Sequence, residues 1–167
     1  MITDLVQIER LGASKRKENE RFRKHLKTFR FVERRLVRMA QETEAAIDCT
    51  VCANCCKVAT VRLLPRDVEG LAKRLRLKPV DFVRDYCEES PEEGLILGRN
   101  DAGCVFLEGT RCSIYEARPS TCEDFPHLVR GAGSLHSRMW EMPGRATYCP
   151  IVYNTLEAWK DEVGFRR

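Results

Sequence analysis

The segment Cys49-Thr50-Val51-Cys52-Ala53-Asn54-Cys55-Cys56 places four thiols within eight residues, and no other feature restricts the fold of this chain as much. Two successive C-x2-C steps let neighbouring sulfurs converge on one small ion or cluster, because a tight turn of that length brings the side chains to one side. The adjacent pair Cys55-Cys56 works against a single simple site. Consecutive side chains in extended backbone point in opposite directions, so either the two serve different metals or one is held in reserve. Five more cysteines follow, at 87, 104, 112, 122 and 149, for an odd total of nine that argues against a fully paired disulfide framework. The first ten residues, Met1 to Arg10, lack the basic-then-apolar order of a secretory signal, and no later run reaches membrane-spanning length. A cytoplasmic location is therefore expected. There thiols stay reduced, and cysteine clusters bind metal or carry redox chemistry more often than they form structural disulfides.

At 167 residues the chain has the length of one ordinary domain with an appendage. The appendage is marked by charge. Between Arg10 and Arg38 twelve Lys or Arg stand against three Glu, a net +9 in a chain whose total is +4, so the remainder carries −5. From Lys15 to Ile47 there is no Gly or Pro, and Phe22, Phe29, Val32, Leu36, Met39, Thr43 and Ala46 recur at helical spacings. This predicts one long basic amphipathic helix within residues 1–47, followed by a cysteine-bearing metal-binding domain over 48–167. The cationic face suits an acidic partner, a nucleic acid or an anionic membrane surface, or simply stays solvated while the apolar stripe packs on the domain or on a second copy. The solvated helix is the favoured reading and nucleic acid is not, since no aromatic residue interleaves with the basic ones as single-strand binders require.

Beyond the first cysteine group, Val58 to Leu64 is rich in β-branched residues and reads as a short strand ended by Pro65. Helices are expected from Arg66 or Asp67 to Leu77, and from Val80 to Tyr86 behind Pro79. Cys87, far from other thiols in sequence, reads as a small core residue and not a ligand. Leu95 to Leu97 is a candidate strand. Cys104 to Cys112 looks like a hairpin turning at Gly109, which would bring those two cysteines side by side at its open end. Arg130 to Gly144 carries three glycines and no period and reads as loop, before a C-terminal helix from Tyr153 to Val163. The fold class expected is helix-rich α+β, nucleated by metal.

Eight cysteines remain as candidate ligands: Cys49, Cys52, Cys55, Cys56, Cys104, Cys112, Cys122 and Cys149. Tetrahedral zinc and the common iron–sulfur clusters each take four thiolates, so eight suit two sites or one site with spare ligands. The first three match the opening of a bacterial ferredoxin run, but Cys56 follows at once where that run spaces its fourth cysteine before proline, so a ferredoxin fold is not implied. A radical-SAM pattern starting from Cys52-x3-Cys56 fails as well, because position 59 is Ala59.

Taken together, Cys49-x2-Cys52-x2-Cys55-Cys56, Cys104-Val-Phe-Leu, Cys112-Ser-Ile-Tyr-Glu-Ala-Arg-Pro-Ser-Thr-Cys122, Phe125-Pro126 and Cys149-Pro150 resemble the CxxCxxCC, or YkgJ-type, family of zinc- or iron-chelating proteins. The resemblance covers Asp48 to about Ile151. It implies an eight-cysteine metal-binding domain, commonly labelled an iron–sulfur oxidoreductase, and kinship with flagellin lysine-methylating proteins associated with an iron–sulfur cluster. The chain departs from the pattern where Ala53 and Ile151 replace common glycines and where Glu123 and Asp124 follow Cys122. None of these removes a ligand, and the acidic pair makes the surface near Cys122 unsuited to an anionic partner.

Arg118 is a candidate cofactor-binding residue: it can offset thiolate charge and donate to cluster sulfurs, or satisfy carbonyls in the turn before Pro119. His127 is a weaker candidate ligand or proton donor and reads as a loop histidine. His25 and His136 carry no motif. The expected function is iron or iron–sulfur binding, most simply a 4Fe-4S cluster, with redox or electron-transfer capacity toward a protein partner. Alternatives are a structural zinc domain acting as an interaction module, and a metal-handling protein. No phosphate-cradling loop or dinucleotide fingerprint is present, and no catalytic residue is assigned.

Overall fold

The computed structural model describes residues 1–166. The chain is helix-rich, about 55% helical, with three small antiparallel strand pairs, an α+β arrangement. It divides into two compact units, one formed by Met1–Asp48 with Phe125–Arg167 and the other by Cys49–Asp124.

In the first unit the N-terminal segment forms three helices where the sequence predicts one: α1 (Leu5–Ser14), α2 (Arg16–Thr28) and α3 (Glu33–Ala45). Asp4 caps α1 by accepting from the Gln7 backbone N–H at 2.8 Å. The chain turns at Lys15 and becomes extended from Phe29 to Val32. A straight helix over Lys15–Ile47 would run roughly 50 Å and could bury its stripe only against an equally long partner. Broken at Phe29–Val32, both halves bury their stripes in one core, Phe22 and Leu26 from α2 and Leu36 and Ala40 from α3. The break is an aromatic and β-branched run, Phe29-Arg30-Phe31-Val32, among the weaker helix formers.

The C-terminal part of the same unit supplies the other side of that core. The stretch expected to be loop holds two short helices, α9 (Leu135–Arg138) and the start of α10 (Met142–Arg145). Burial of Leu135, Met139 and Met142 orders it despite its glycines. Arg138 donates to the carbonyls of His127 at 2.9 Å and Gly133 at 2.6 Å, tying down the intervening turn. Helix α11 (Pro150–Glu162) begins three residues earlier than the sequence predicts, with Pro150 at its first position. Trp159, fully buried on α11, donates from Nε1 to the Leu36 carbonyl at 2.8 Å and so registers α11 against α3. Gly12 lets α1 approach closely, since a Cβ there would stand 2.3 Å from the Ala146 carbonyl oxygen. Thus the basic segment is one wall of a helical unit completed by the C-terminus, which differs from the division at 47/48 that the charge pattern suggests.

The second unit runs through α4 (Cys49–Cys52), α5 (Asn54–Val58), α6 (Pro65–Leu75), α7 (Pro79–Tyr86), six short strands, a 3₁₀ turn (Tyr115–Ala117) and α8 (Ser120–Glu123). β1 (Cys87–Ser90) pairs with β2 (Gly94–Leu97), β3 (Arg99–Asn100) with β4 (Gly103–Cys104), and β5 (Leu107–Glu108) with β6 (Arg111–Cys112). The strand expected over Val58–Leu64 is reduced to a single bridge, Arg62 with Ile96, flanked by backbone bonds from Leu63 to Leu95 and from Leu97 to Val61. Val61 and Leu63 of this run are buried, and the core of this unit gathers them with Val68, Leu71 and Leu97 about a stack of three rings. Phe82 and Tyr86 lie 5.6 Å apart at 11°, and Tyr86 and Phe106 lie 5.3 Å apart at 7°.

The first unit also holds a buried charge. Lys160 is fully buried, with Nζ 2.6 Å from both Glu18 Oε1 and Glu157 Oε1, and Lys15 pairs with the other oxygen of Glu157. Burial pushes the Glu157 carboxyl up, but hydrogen bonds from Lys15 and Lys160 outweigh it and hold its pKa below the ordinary value. A carboxyl depressed in the folded state contributes stability above its unfolded pKa of about 4.3, and loses it as pH falls through the folded value. Acidification from pH 6 toward 3 should therefore lower the denaturant midpoint of the wild type, and Glu157→Gln should flatten that dependence. Lys160→Ala, which removes the cation between Glu18 and Glu157 and leaves Glu157 only Lys15, should cost about 3–5 kcal/mol in the same titration.

Candidate metal centre

The cysteine-rich run folds as two single helical turns, α4 and α5, joined by Ala53 in the left-handed conformation (φ 47°, ψ 13°). Glycine would meet that conformation without strain, whereas a Cβ costs roughly 1–2 kcal/mol there. Seven of the eight candidate ligands lie in the second unit: Cys49 exposed, Cys52, Cys55, Cys56, Cys112 and Cys122 half-buried, and Cys104 buried. The eighth, Cys149, is the buried residue preceding α11 and belongs to the core of the first unit.

The hairpin expected to place Cys104 beside Cys112 is two hairpins. Cys104 on β4 pairs with Arg99, and Cys112 on β6 pairs with Leu107. Gly109 occupies the β5–β6 turn at φ 64°, as the sequence suggests, but residues 105 and 106 separate the two strand pairs. Even so, the two thiols are brought near one another in space.

Four cysteines from four elements act on one another electrostatically: Cys56 from α5, Cys104 from β4, Cys112 from β6 and Cys122 from α8. Burial pushes the Cys122 thiol up to about 12, with the charges of Cys104, Cys56 and Cys112 adding to it. Burial likewise raises Cys104, with Cys56 and Cys112 contributing, and raises Cys112, with Cys56 contributing. All six pairings of the quartet are thus close enough to be felt. Cys56 is the exception in sign. The Cys55 thiol donates a hydrogen bond to its sulfur and, with the Arg118 charge, holds it down to about 7. Among the described residues no three His, Cys, Asp or Glu side chains already stand within direct reach of one shared metal ion. The quartet is a converging set of soft donors whose chemistry fits zinc or iron, each held by four thiolates.

Three contacts position the quartet. Arg99 donates from its guanidinium to the Ala59 carbonyl at 2.6 Å and to that of Lys57, fastening the β3–β4 hairpin to the C-terminal end of α5. Gly103, at φ 124°, lies so close to α5 that a Cβ would be 2.5 Å from the Cys56 carbonyl oxygen. Asp67 caps α6 through the Leu64 N–H at 2.8 Å and also accepts from the Ser120 N–H at 3.0 Å and its hydroxyl at 3.2 Å, fixing the start of α8 two residues before Cys122. Sequence reasoning missed all three. The only trace of the Asp67 role is its place three residues after Leu64, where it reads as a helix cap alone.

Arg118 fills the turn-stabilising role and places its charge near three of the thiols. Its Nε donates to the Tyr115 carbonyl at 3.0 Å and its guanidinium lies 3.8 Å over the Tyr115 ring, while its charge lowers Cys56, Cys112 and Cys122. Cys87 stands apart, as expected: burial alone lifts it to about 11, and no other thiol contributes. The histidines are in the first unit. His127 sits at φ 65° with its ring edge-on to Phe125, His136 bonds the Leu26 carbonyl at 2.6 Å, and His25 stacks on Phe29.

Comparison with protein families finds one match, to the CxxCxxCC model, described as a putative zinc- or iron-chelating domain, over residues 48–150. The chain belongs to the CxxCxxCC family. No curated protein and no solved structure matches it significantly. The family match begins one residue before Cys49 and ends one after Cys149, so it encloses all eight candidate cysteines. Zinc or iron chelation is therefore the family's described property, and no helix among the described residues is long and apolar enough to cross a membrane.

Gly103→Ala tests whether the approach of β4 to α5 assembles the quartet. It should destabilise the protein by about 1–3 kcal/mol in denaturant titration and lower the metal retained after purification. Cys87→Ser should leave metal content unchanged, as elemental analysis of the same preparations will show.

Proposed function

We propose that this CxxCxxCC protein binds iron, as an iron–sulfur cluster held in the second unit, and that the centre serves redox or electron transfer. The observation that carries this reading is the quartet Cys56, Cys104, Cys112 and Cys122, four thiols from four elements near enough for the ionisation of one to bear on another. Each raises the cost of ionising the next, and a bound cation centre removes that cost by replacing protons. Cys49, Cys52 and Cys55 add three thiols in the same unit. A structural zinc site closes with four ligands, whereas seven leave room for a larger cluster, a second metal or exchange between ligands.

When bound, a four-iron cluster supplies one-electron chemistry. The chain's own contribution would be electrostatic: Arg118 sets a fixed positive charge beside Cys56, Cys112 and Cys122, and the Phe82–Tyr86–Phe106 stack bounds the site with apolar surface. A positive charge near the sulfurs favours the more negative, reduced state. Cys149 extends the expected ligand set beyond this unit, and Cys149→Ser with metal analysis assigns it.

Protein purified without oxygen should be brown, with iron and acid-labile sulfide in comparable amounts, and Cys104→Ser should lose most of both. Colourless protein with tightly held zinc and no sulfide would replace this reading with the structural zinc domain. Arg118→Gln should retain the metal but lower the midpoint potential measured by spectroelectrochemical titration, whereas an unchanged potential would leave Arg118 only its turn-stabilising bond to Tyr115.

A further inference from the structure

The basic helix α2 was set aside as a nucleic-acid surface because no aromatic residue interleaves with its cations. The fold supplies one from more than a hundred residues away. Trp140, between α9 and α10, is 70% exposed and sits against α2 with the Arg23 guanidinium 4.3 Å from its ring centre. The other tryptophan, Trp159, is fully buried, so the exposed indole is not a core residue left at the edge. Arg23 is held there by stacking: its Nε has no hydrogen-bond partner, and among the described residues no carboxylate pairs with it.

Arg16, Glu20, Arg23 and Lys27 recur at four, three and four residues and so share one stripe of α2, adjoining the face buried through Asn19, Phe22 and Leu26. Glu20 is the acid in this stripe and lies 3.9 Å from Arg16. Glu141, beside Trp140, is already paired with Arg145. Of the twelve cations between Arg10 and Arg38, the ion pairs among the described residues engage Lys15, Arg16 and Arg35, leaving nine without a carboxylate partner. A solvated helix stabilised by its own ion pairs would show more of them.

We infer that the α2 stripe of Arg16, Arg23 and Lys27, with Trp140 set against it, binds single-stranded nucleic acid, phosphates on the cations and a base on the exposed indole. An exposed aromatic ring flanked by guanidinium and ammonium groups is the arrangement by which single strands are held without sequence readout. Along α2 the stripe spans roughly 16 Å, the reach of about three to five nucleotides. A membrane surface is the poorer fit, because the apolar residues of α2 are buried in the core and leave the helix no face to insert. This inference concerns the first unit and stands independently of which metal the second unit holds.

The test uses the full chain and a fluorescein-labelled oligothymidylate of about 12 nucleotides, with binding followed by anisotropy and by quenching of Trp140. Binding should weaken with salt at a log–log slope near −0.7 per phosphate contacted, about −2 overall. Trp140→Ala should weaken it roughly 5- to 100-fold, and Trp140→Phe should restore most of the loss. Arg23→Gln with Lys27→Gln should make the slope shallower by about 1.4. Lys27 is exposed and Arg23 partly so, and circular dichroism should show unchanged helix content. The inference is overturned by absence of binding at about 50 mM salt, by equal affinity of Trp140→Ala, by preference for duplex of the same length, or by binding to anionic phosphatidylserine vesicles without binding to the oligonucleotide.

Discussion

Four thiols that must lose their protons to bind a metal are brought together in a partly buried place that disfavours their ionisation, and the structure of the cysteine unit follows from the need to hold them there. Each comes from a different element, so no local turn can assemble the set. Arg99 fastens β3–β4 to α5, Gly103 permits that contact by having no Cβ, and Asp67 joins the start of α6 to the start of α8. These are backbone attachments. They fix where a cysteine's Cα stands and leave its sulfur free to adjust to a bound centre. The unit has little else to hold it together: its strands are two to four residues long, and its core is one ring stack with a handful of aliphatic side chains.

The helical unit answers a different problem with ordinary means. It is made from both ends of the chain, and its core of Phe22, Leu36, Leu128, Met142, Leu156 and Trp159 is apolar and fully buried. Its one expensive feature is the Lys160 ammonium between Glu18 and Glu157, which gives α2 and α11 a fixed register in the way a buried polar group specifies one packing over others. The resulting division of charge is physical as well as sequential. Cationic residues are collected on the helices built from residues 10–38, and the cysteine-bearing remainder of the chain is net acidic.

The sequence made some of this legible and hid the rest for identifiable reasons. Helices α6, α7 and α11 and strand β2 were readable because apolar period and proline placement agree with the structure to within a few residues. The break at Phe29–Val32 was not, because neither Gly nor Pro marks it and the apolar stripe continues in phase through it. Only the length of the available partner, α11 with its 13 residues, makes the interruption favourable. The β5–β6 turn at Gly109 was visible, yet the pairing of Cys104 with Arg99 depends on a hairpin whose strands are two residues long, too short to carry a pattern. The thiols themselves were legible by spacing. Their convergence was not, since Cys56 meets Cys104, Cys112 and Cys122 only through contacts across the unit. The exposure of Trp140 was hidden too, because a single aromatic residue carries no sign in the sequence of which face it will occupy.

Ala53 shows how these constraints meet at one residue. The two helical turns α4 and α5 need a left-handed residue between them, and the chain uses alanine at a cost of about 1 kcal/mol where glycine would bear none. Glycine would return part of that gain by loosening the unfolded chain, and Ala53 is buried, so its methyl also fills space in a unit with little apolar volume. The strain therefore persists because the contacts around α5 over-determine the turn: the Ala53 N–H bonds the Cys49 carbonyl at 2.9 Å, the Ala59 N–H bonds the Cys55 carbonyl at 2.8 Å, and Arg99 holds the end. A turn fixed in this way presents Cys56 to Cys104, Cys112 and Cys122 before any metal arrives. Pre-organisation of the attachment points, with freedom left in the sulfurs, is what lets a small unit accept a centre whose binding then supplies the stability that its core lacks.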